Sequence, residues 1–186
     1  SNSIITMPFN KSNFIITITV TNTKMNSIKI RSIKIIIFAL SIVILDQTTK
    51  LSVLFLLGFN SSKNIIPNLL NFTLVKNKGA AFSLFSDSTT LLTITSVFAS
   101  LLLLIFILKS PPRSYWNSIG IAYLLGGTVG NGIDRLVKGY VLDFIELLPI
   151  NFPIFNVADI SINIALICFI IDVFPTKSQS GKPINN

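Results

Sequence analysis

Three aspartates stand within or at the ends of otherwise apolar stretches: Asp46, Asp134 and Asp159. A charge near the centre of a membrane helix costs at least about 2.5–3.5 kcal/mol on insertion scales, so such acids are candidates for function. Asp134 and Asp159 have the surroundings of a shared site. Gly127, Asn131 and Asp134 recur at i, i+4 and i+7, and Asn156, Asp159 and Asn163 at i, i+3 and i+7. Each set falls on one helical face. Two carboxylates that meet cannot both ionise, so one keeps a proton while the other takes one from water. Water activated in this way attacks an amide carbonyl, and the protonated partner later serves the leaving nitrogen. That is aspartic-protease chemistry. A structural hydrogen-bonded pair and a cation site remain open readings of the same two acids.

The rest of the inventory narrows the choice. The sequence has no histidine and one cysteine, Cys168. Ser-His-Asp and Cys-His catalysis and HExxH zinc hydrolysis are therefore excluded. Cys168 lies in an apolar run and reads as a buried, unreactive thiol. Lys50 follows Asp46 by four residues, the favourable order for a helical ion pair, and the bland reading is a pair that fixes a helix–helix contact. Asp172 reads as structural, within reach of Lys177.

Helices of the membrane type have to position these groups. Of 186 residues, 51% are hydrophobic and 12% charged, with mean hydropathy +0.73. A soluble domain carries about 25% charged residues. Four stretches, 35–57, 89–108, 118–137 and 157–174, come close to the ~20 residues a crossing needs. The net charge of +8 is concentrated ahead of them: Lys11, Lys24, Lys29, Arg31 and Lys34 precede Ile35 with no acid among them. This pattern fits the positive-inside rule and not a nucleic-acid surface, and it places both termini in the cytoplasm. Asp134 and Asp159 then stand at similar depth, near the outer ends of antiparallel neighbours.

The connections carry expectations too. Residues 64–67 read as a turn, and 70–75 and 80–85 as two strands of a small antiparallel sheet on the outer membrane surface. Residues 141–148 read as an interfacial turn of helix, ended by Pro149 and Pro153. Residues 1–24 form an extension in which Phe14 to Val20 has the character of a strand, and no cleavage site for a signal peptide follows the first apolar stretch. A single membrane domain then spans 25–176, followed by a cytoplasmic tail over 177–186. The fold class is all-α membrane, with four transmembrane helices, the sheet and the short interfacial helix.

Five motifs in order, Asp46-Gln47-Thr48-Thr49-Lys50, Asn77-Lys78-Gly79-Ala80-Ala81-Phe82, Gly126 to Arg135, Gly139 to Phe144 and Phe155-Asn156-Val157-Ala158-Asp159, together resemble the lipoprotein signal peptidase (signal peptidase II) family over about 25–174. The resemblance implies an aspartyl endopeptidase of the bacterial inner membrane. Its substrates would be diacylglyceryl-modified prolipoproteins, cut just before the lipidated cysteine. It implies Asp134 and Asp159 as catalytic dyad, with Asp46, Lys50, Asn77, Gly127, Asn131, Arg135 and Asn156 lining or supporting the substrate site. It calls for no cofactor and no metal, and for membrane lipid and prolipoprotein as partners; separately, four spans enclosing a two-Asp site fit a monomer, and the charge distribution fits no nucleic acid partner. Gly132, Ile160 and Ala165 depart from the family's usual residues, which bears on helix packing near the dyad. The alternative function is a small four-span transporter relaying protons or cations through the acids.

Overall fold

The computed structural model describes residues 11–59, 61–79, 89–150 and 152–174. It contains four helices and three strands, in the order α1 (Lys11–Leu57), β1 (Ser62–Ile66), β2 (Leu70–Asn77), α2 (Thr89–Lys109), α3 (Tyr115–Lys138), β3 (Val141–Leu147) and α4 (Val157–Val173). The helices fall on the four expected stretches. The helical backbone of α1 already runs through Phe14 to Val20, so the strand expected there is not formed.

The helices expose apolar side chains and bury several charged ones. Ile37, Leu40, Ile44 and Leu45 of α1, Ile94, Phe98 and Leu101 of α2, and Leu166, Ile167 and Ile170 of α4 are exposed, whereas Asp46, Lys50, Asp134 and Asp143 are buried. α2 is long and apolar enough to cross a bilayer. α3 is the central helix and packs against α1, α2 and α4. Its glycines allow the close approach. A Cβ on Gly126 would stand 2.7 Å from the Ile42 side chain of α1, and one on Gly127 would stand 2.6 Å from the Ala158 carbonyl oxygen of α4. The GxxxG pair, Gly126 and Gly130, therefore faces α1, while Gly127 seats α4.

The three strands form one antiparallel sheet in the order β1-β2-β3. The β1–β2 turn is Pro67-Asn68-Leu69, later than the expected 64–67; Asn68 takes the left-handed conformation that asparagine tolerates, with φ 59°. The second strand expected at 80–85 lies outside the described residues. The partner of β2 is instead β3, where an interfacial helix was expected. Val141-Leu142-Asp143-Phe144-Ile145 alternates with period two and pairs edge to edge with β2, placing Val75 opposite Asp143 and Asn77 opposite Val141. Backbone pairing and an apolar face built from Val53, Leu74, Leu142 and Phe144 favour the strand over an isolated helical turn.

Candidate active site

The C-terminal parts of α1 and α3 and the N-terminal end of α4 meet under the sheet. α3 ends at Gly139, whose φ of 76° lets the chain turn directly into β3. α4 begins with a capping box. The Asn156 side chain accepts from the Asp159 backbone N–H at 3.0 Å, and Asp159 Oδ2 accepts from the Asn156 backbone N–H at 3.1 Å. Asp46 reaches across from α1 and accepts the Ala158 N–H at 2.9 Å. Three acidic or amide side chains are thus committed to the first turn of α4, which fixes Asp159 in place.

Asp134 has a different environment from the one its spacing suggests. It is fully buried. Its Oδ1 pairs with Lys138 Nζ at 2.8 Å, and its Oδ2 pairs with Lys50 Nζ at 3.0 Å and accepts the Leu142 N–H at 3.2 Å. Lys50 also pairs with Asp46 at 2.8 Å. Asp46, Lys50, Asp134 and Lys138 form a ladder of alternating charge that joins α1 to α3 and, through Leu142, to β3. Both oxygens of Asp134 are occupied, and it stands outside the cavity that holds Asp159. The expected face-to-face pair of Asp134 and Asp159 is not what the fold builds.

The carboxylate that shares the cavity with Asp159 is Asp143 of β3. Asp143 Oδ2 accepts from Asn77 Nδ2 at 2.8 Å, and its Oδ1 accepts from Asn156 Nδ2 at 2.6 Å. Asn77 is itself locked, because its Oδ1 accepts the Gly79 N–H at 2.9 Å. Burial, and then the negative charge of nearby Asp159, push the Asp143 carboxyl up to about 7, against the pull of Asn77, Asn156 and Lys50.

Asn131 joins the two regions. Its Oδ1 accepts from Lys50 Nζ and from Asn156 Nδ2, each at 3.0 Å, so its Nδ2 is left to donate to Asp159 Oδ1 at 2.8 Å. An ammonium can only donate, so Lys50 determines which end of the Asn131 amide faces Asp159.

The cavity above these groups has a volume of about 970 Å³. Asn77, Asn131, Arg135, Asp143 and Asp159 form its polar part, and isoleucines of α4 line an apolar extension. Arg135 Nε is buried with no hydrogen-bond partner among the described residues, and Nη1 lies 3.5 Å from Ser96 Oγ. Of the nine residues expected at the site, Asn77, Asn131, Arg135 and Asp159 line the cavity. Asn156, Asp46, Lys50 and Asp134 hold those residues from behind, and Gly127 admits α4. Asp172 is hydrogen-bonded to Ser114, tying the far end of α4 to the start of α3. No cluster of metal-ligating side chains occurs among the described residues.

Comparison with known proteins gives the family. A family model described as signal peptidase (SPase) II matches residues 38–175. The lipoprotein signal peptidase of Parasynechococcus marenigrum (strain WH8102) is 45% identical over 139 residues, covering 75% of this chain and 87% of its own. That of Streptococcus agalactiae (serotype III, strain NEM316) is 38% identical over 151 residues, covering 81% and 98%. A solved bacterial membrane enzyme superposes with a TM-score of 0.71 at 32% identity, over 82% of this chain and 94% of the other. The chain belongs to the signal peptidase II family.

Proposed function

We propose that Asp143 and Asp159 are the working pair of this peptidase, and that Asp134 serves to hold them. The chain is an aspartic endopeptidase that removes the signal peptide from prolipoproteins, in keeping with its family. The observation that carries the assignment is the shared cavity: Asp143 and Asp159 face the same space and share Asn156, whereas Asp134 is closed off by two lysines. The Asp143 carboxyl, pushed up to about 7, is the member that carries the shared proton, and Asp159 is the base. Asp159 takes a proton from water, whose oxygen attacks the scissile carbonyl carbon while Asp143 protonates the carbonyl oxygen. The tetrahedral diol then collapses: Asp159 passes its proton to the nitrogen, Asp143 takes back a proton from a hydroxyl, and the C–N bond breaks to leave an acid and an amine. Neither step uses histidine or a metal. Arg135 and Asn77, at the cavity wall, supply donors for the peptide backbone of the substrate.

The substrate is a precursor whose cysteine carries a diacylglyceryl group, and the cut falls just before that cysteine. The open apolar extension of the cavity along α4 supports this reading, since acyl chains enter from the bilayer without crossing water. All four helices cross the bacterial inner membrane, supported by the exposed apolar side chains on α1, α2 and α4 and by the basic residues ahead of Ile35. Both termini are cytoplasmic, the cavity opens near the outer face, and one chain suffices for activity. A transporter relay has no observation in its favour. Among the described residues, Asp46, Asp134, Asp143 and Asp159 gather at one end of the helices, and only Asp172 stands at the other.

The test is cleavage of lipidated and unlipidated precursor by purified enzyme with chelator present. Chelator-resistant cleavage of the lipidated form alone, abolished in Asp143→Asn, is expected. Full activity of Asp143→Asn would refute the pair.

A further inference from the structure

Asn163 shares a face of α4 with Asn156 and Asp159, yet nothing above gives it a task. It stands four residues, or just over one ~5.4 Å helical turn, from Asp159 on the side away from the sheet. Its side chain is exposed, lines the cavity, and is flanked there by Ile160, Ile162, Ile164 and Ile167. Among the described residues it makes one hydrogen bond, from Nδ2 to the Asp159 carbonyl oxygen at 2.9 Å. That bond fixes the amide on the helix surface and leaves the second N–H of Nδ2, and Oδ1, free to face the slot. A free amide N–H among isoleucines at this depth is costly unless something accepts from it.

We propose that Asn163 recognises the lipid of the substrate, donating its second N–H to an ester carbonyl of the diacylglyceryl group. The inference rests on the lipidated-cysteine reading above. In that substrate the scissile carbonyl is separated from the ester carbonyls by the cysteine side chain and the glyceryl carbons. That path is about eight single bonds, long and flexible enough to cover the one ~5.4 Å turn between Asp159 and Asn163. An ester carbonyl accepts and never donates, which matches the free N–H. The hydrocarbon beyond it meets the isoleucines. Asn163 is thereby a specificity residue that distinguishes ester-linked from ether-linked lipid, and it takes no part in bond cleavage.

The experiment is a two-by-two comparison with purified full-length enzyme. Two synthetic precursor peptides are used, one bearing an S-diacylglyceryl cysteine and the other the S-dialkylglyceryl analogue, which lacks both carbonyls. Wild type should cleave the ester form with kcat/KM about threefold to tenfold above the ether form, one hydrogen bond's worth. Asn163→Leu should lose that factor on the ester form, mainly in KM, and treat the two peptides alike. Asn163→Thr, whose single O–H is taken by the Asp159 carbonyl one turn back, should lose the preference too and provides the test should the leucine variant fail to fold. Equal cleavage of both peptides by wild type, or an unchanged preference in folded Asn163→Leu or Asn163→Thr at wild-type rates, would overturn the proposal. Failure of wild type to cleave either lipidated peptide would instead overturn the substrate reading beneath it.

Discussion

Two groups of charges lie side by side in this molecule and differ in what is left open. In the ladder of Asp46, Lys50, Asp134 and Lys138, every carboxylate meets an ammonium within 3.0 Å. In the cavity, Asp143 and Asp159 accept hydrogen bonds from amide N–H groups and form no ion pair within 4.0 Å among the described residues. The carboxylate oxygens of the ladder are all taken by ammonium or backbone N–H donors, and neither carboxylate lines the cavity. Two carboxylates with neutral donors compete for one proton, and that competition is the source of general acid–base chemistry. Asn131 and Asn156 connect the groups, so on the proposed assignment the ladder positions the pair without entering the reaction.

The comparison can be broken at several points. The largest effect is expected at the cavity. Asp143→Asn or Asp159→Asn should lower cleavage by at least about 10³-fold while leaving the fold intact, as judged by thermal melting in detergent. Next is the ladder. Lys50→Met leaves Asp46 without its cation and Asp134 with only one of two, and should cost about 3–5 kcal/mol of stability. The charge-balanced Asp46→Asn/Lys50→Met variant should recover much of that stability. It should still turn over slowly, because the Asn131 amide is no longer oriented, so its loss falls on kcat and not on KM. Gly127→Val drives a side chain toward the Ala158 carbonyl and Ile162, and should cost about 1–3 kcal/mol, read as a lower melting temperature.

A smaller effect concerns pH. The Asp143 carboxyl titrates at about 7 in the folded protein and at 3.8 ordinarily. Folding therefore favours its protonated form, so this contribution to stability is complete below 3.8 and is lost as pH rises toward about 7. Asp143→Asn does not titrate there, and its stability relative to wild type should improve between about pH 4 and about pH 7. Activity should decline as pH rises through about 7, where the acid loses its proton. In Asp159→Asn, where the like charge is gone, the Asp143 carboxyl band followed by infrared titration should ionise at lower pH. A rise would contradict the proximity argued here.

Much of this architecture is written plainly in the chain. Apolar length locates the helices, the spacing of Asn156, Asp159 and Asn163 locates one side of the site, and Asn77 is recognisable from its motif. Asp143 is the instructive omission. It lies in Val141-Leu142-Asp143-Phe144-Ile145-Glu146, which reads equally as a turn of amphipathic helix or as a strand. Over so short a run the choice is made by pairing with β2, whose Asn77 donates to Asp143 across 66 residues of sequence. The period-two alternation was the available signal, since it puts Val141, Asp143 and Ile145 on one face. Asp134 misleads for the converse reason. Helical spacing shows that it shares a face with Asn131, but not that Lys50 arrives from α1 to neutralise it. Its neighbour Lys138, at i+4, gave a local hint of the pairing.

The central claim is that the proton-sharing pair is Asp143 with Asp159, and that Asp134 is structural. The most direct measurement compares single-turnover cleavage of one lipidated precursor by two folded variants, Asp143→Asn and the charge-balanced Asp134→Asn/Lys138→Gln. The account predicts no detectable cleavage by the first and measurable, slowed cleavage by the second, despite its lower melting temperature. Cleavage by Asp143→Asn, with none by a folded Asp134→Asn/Lys138→Gln, would contradict it.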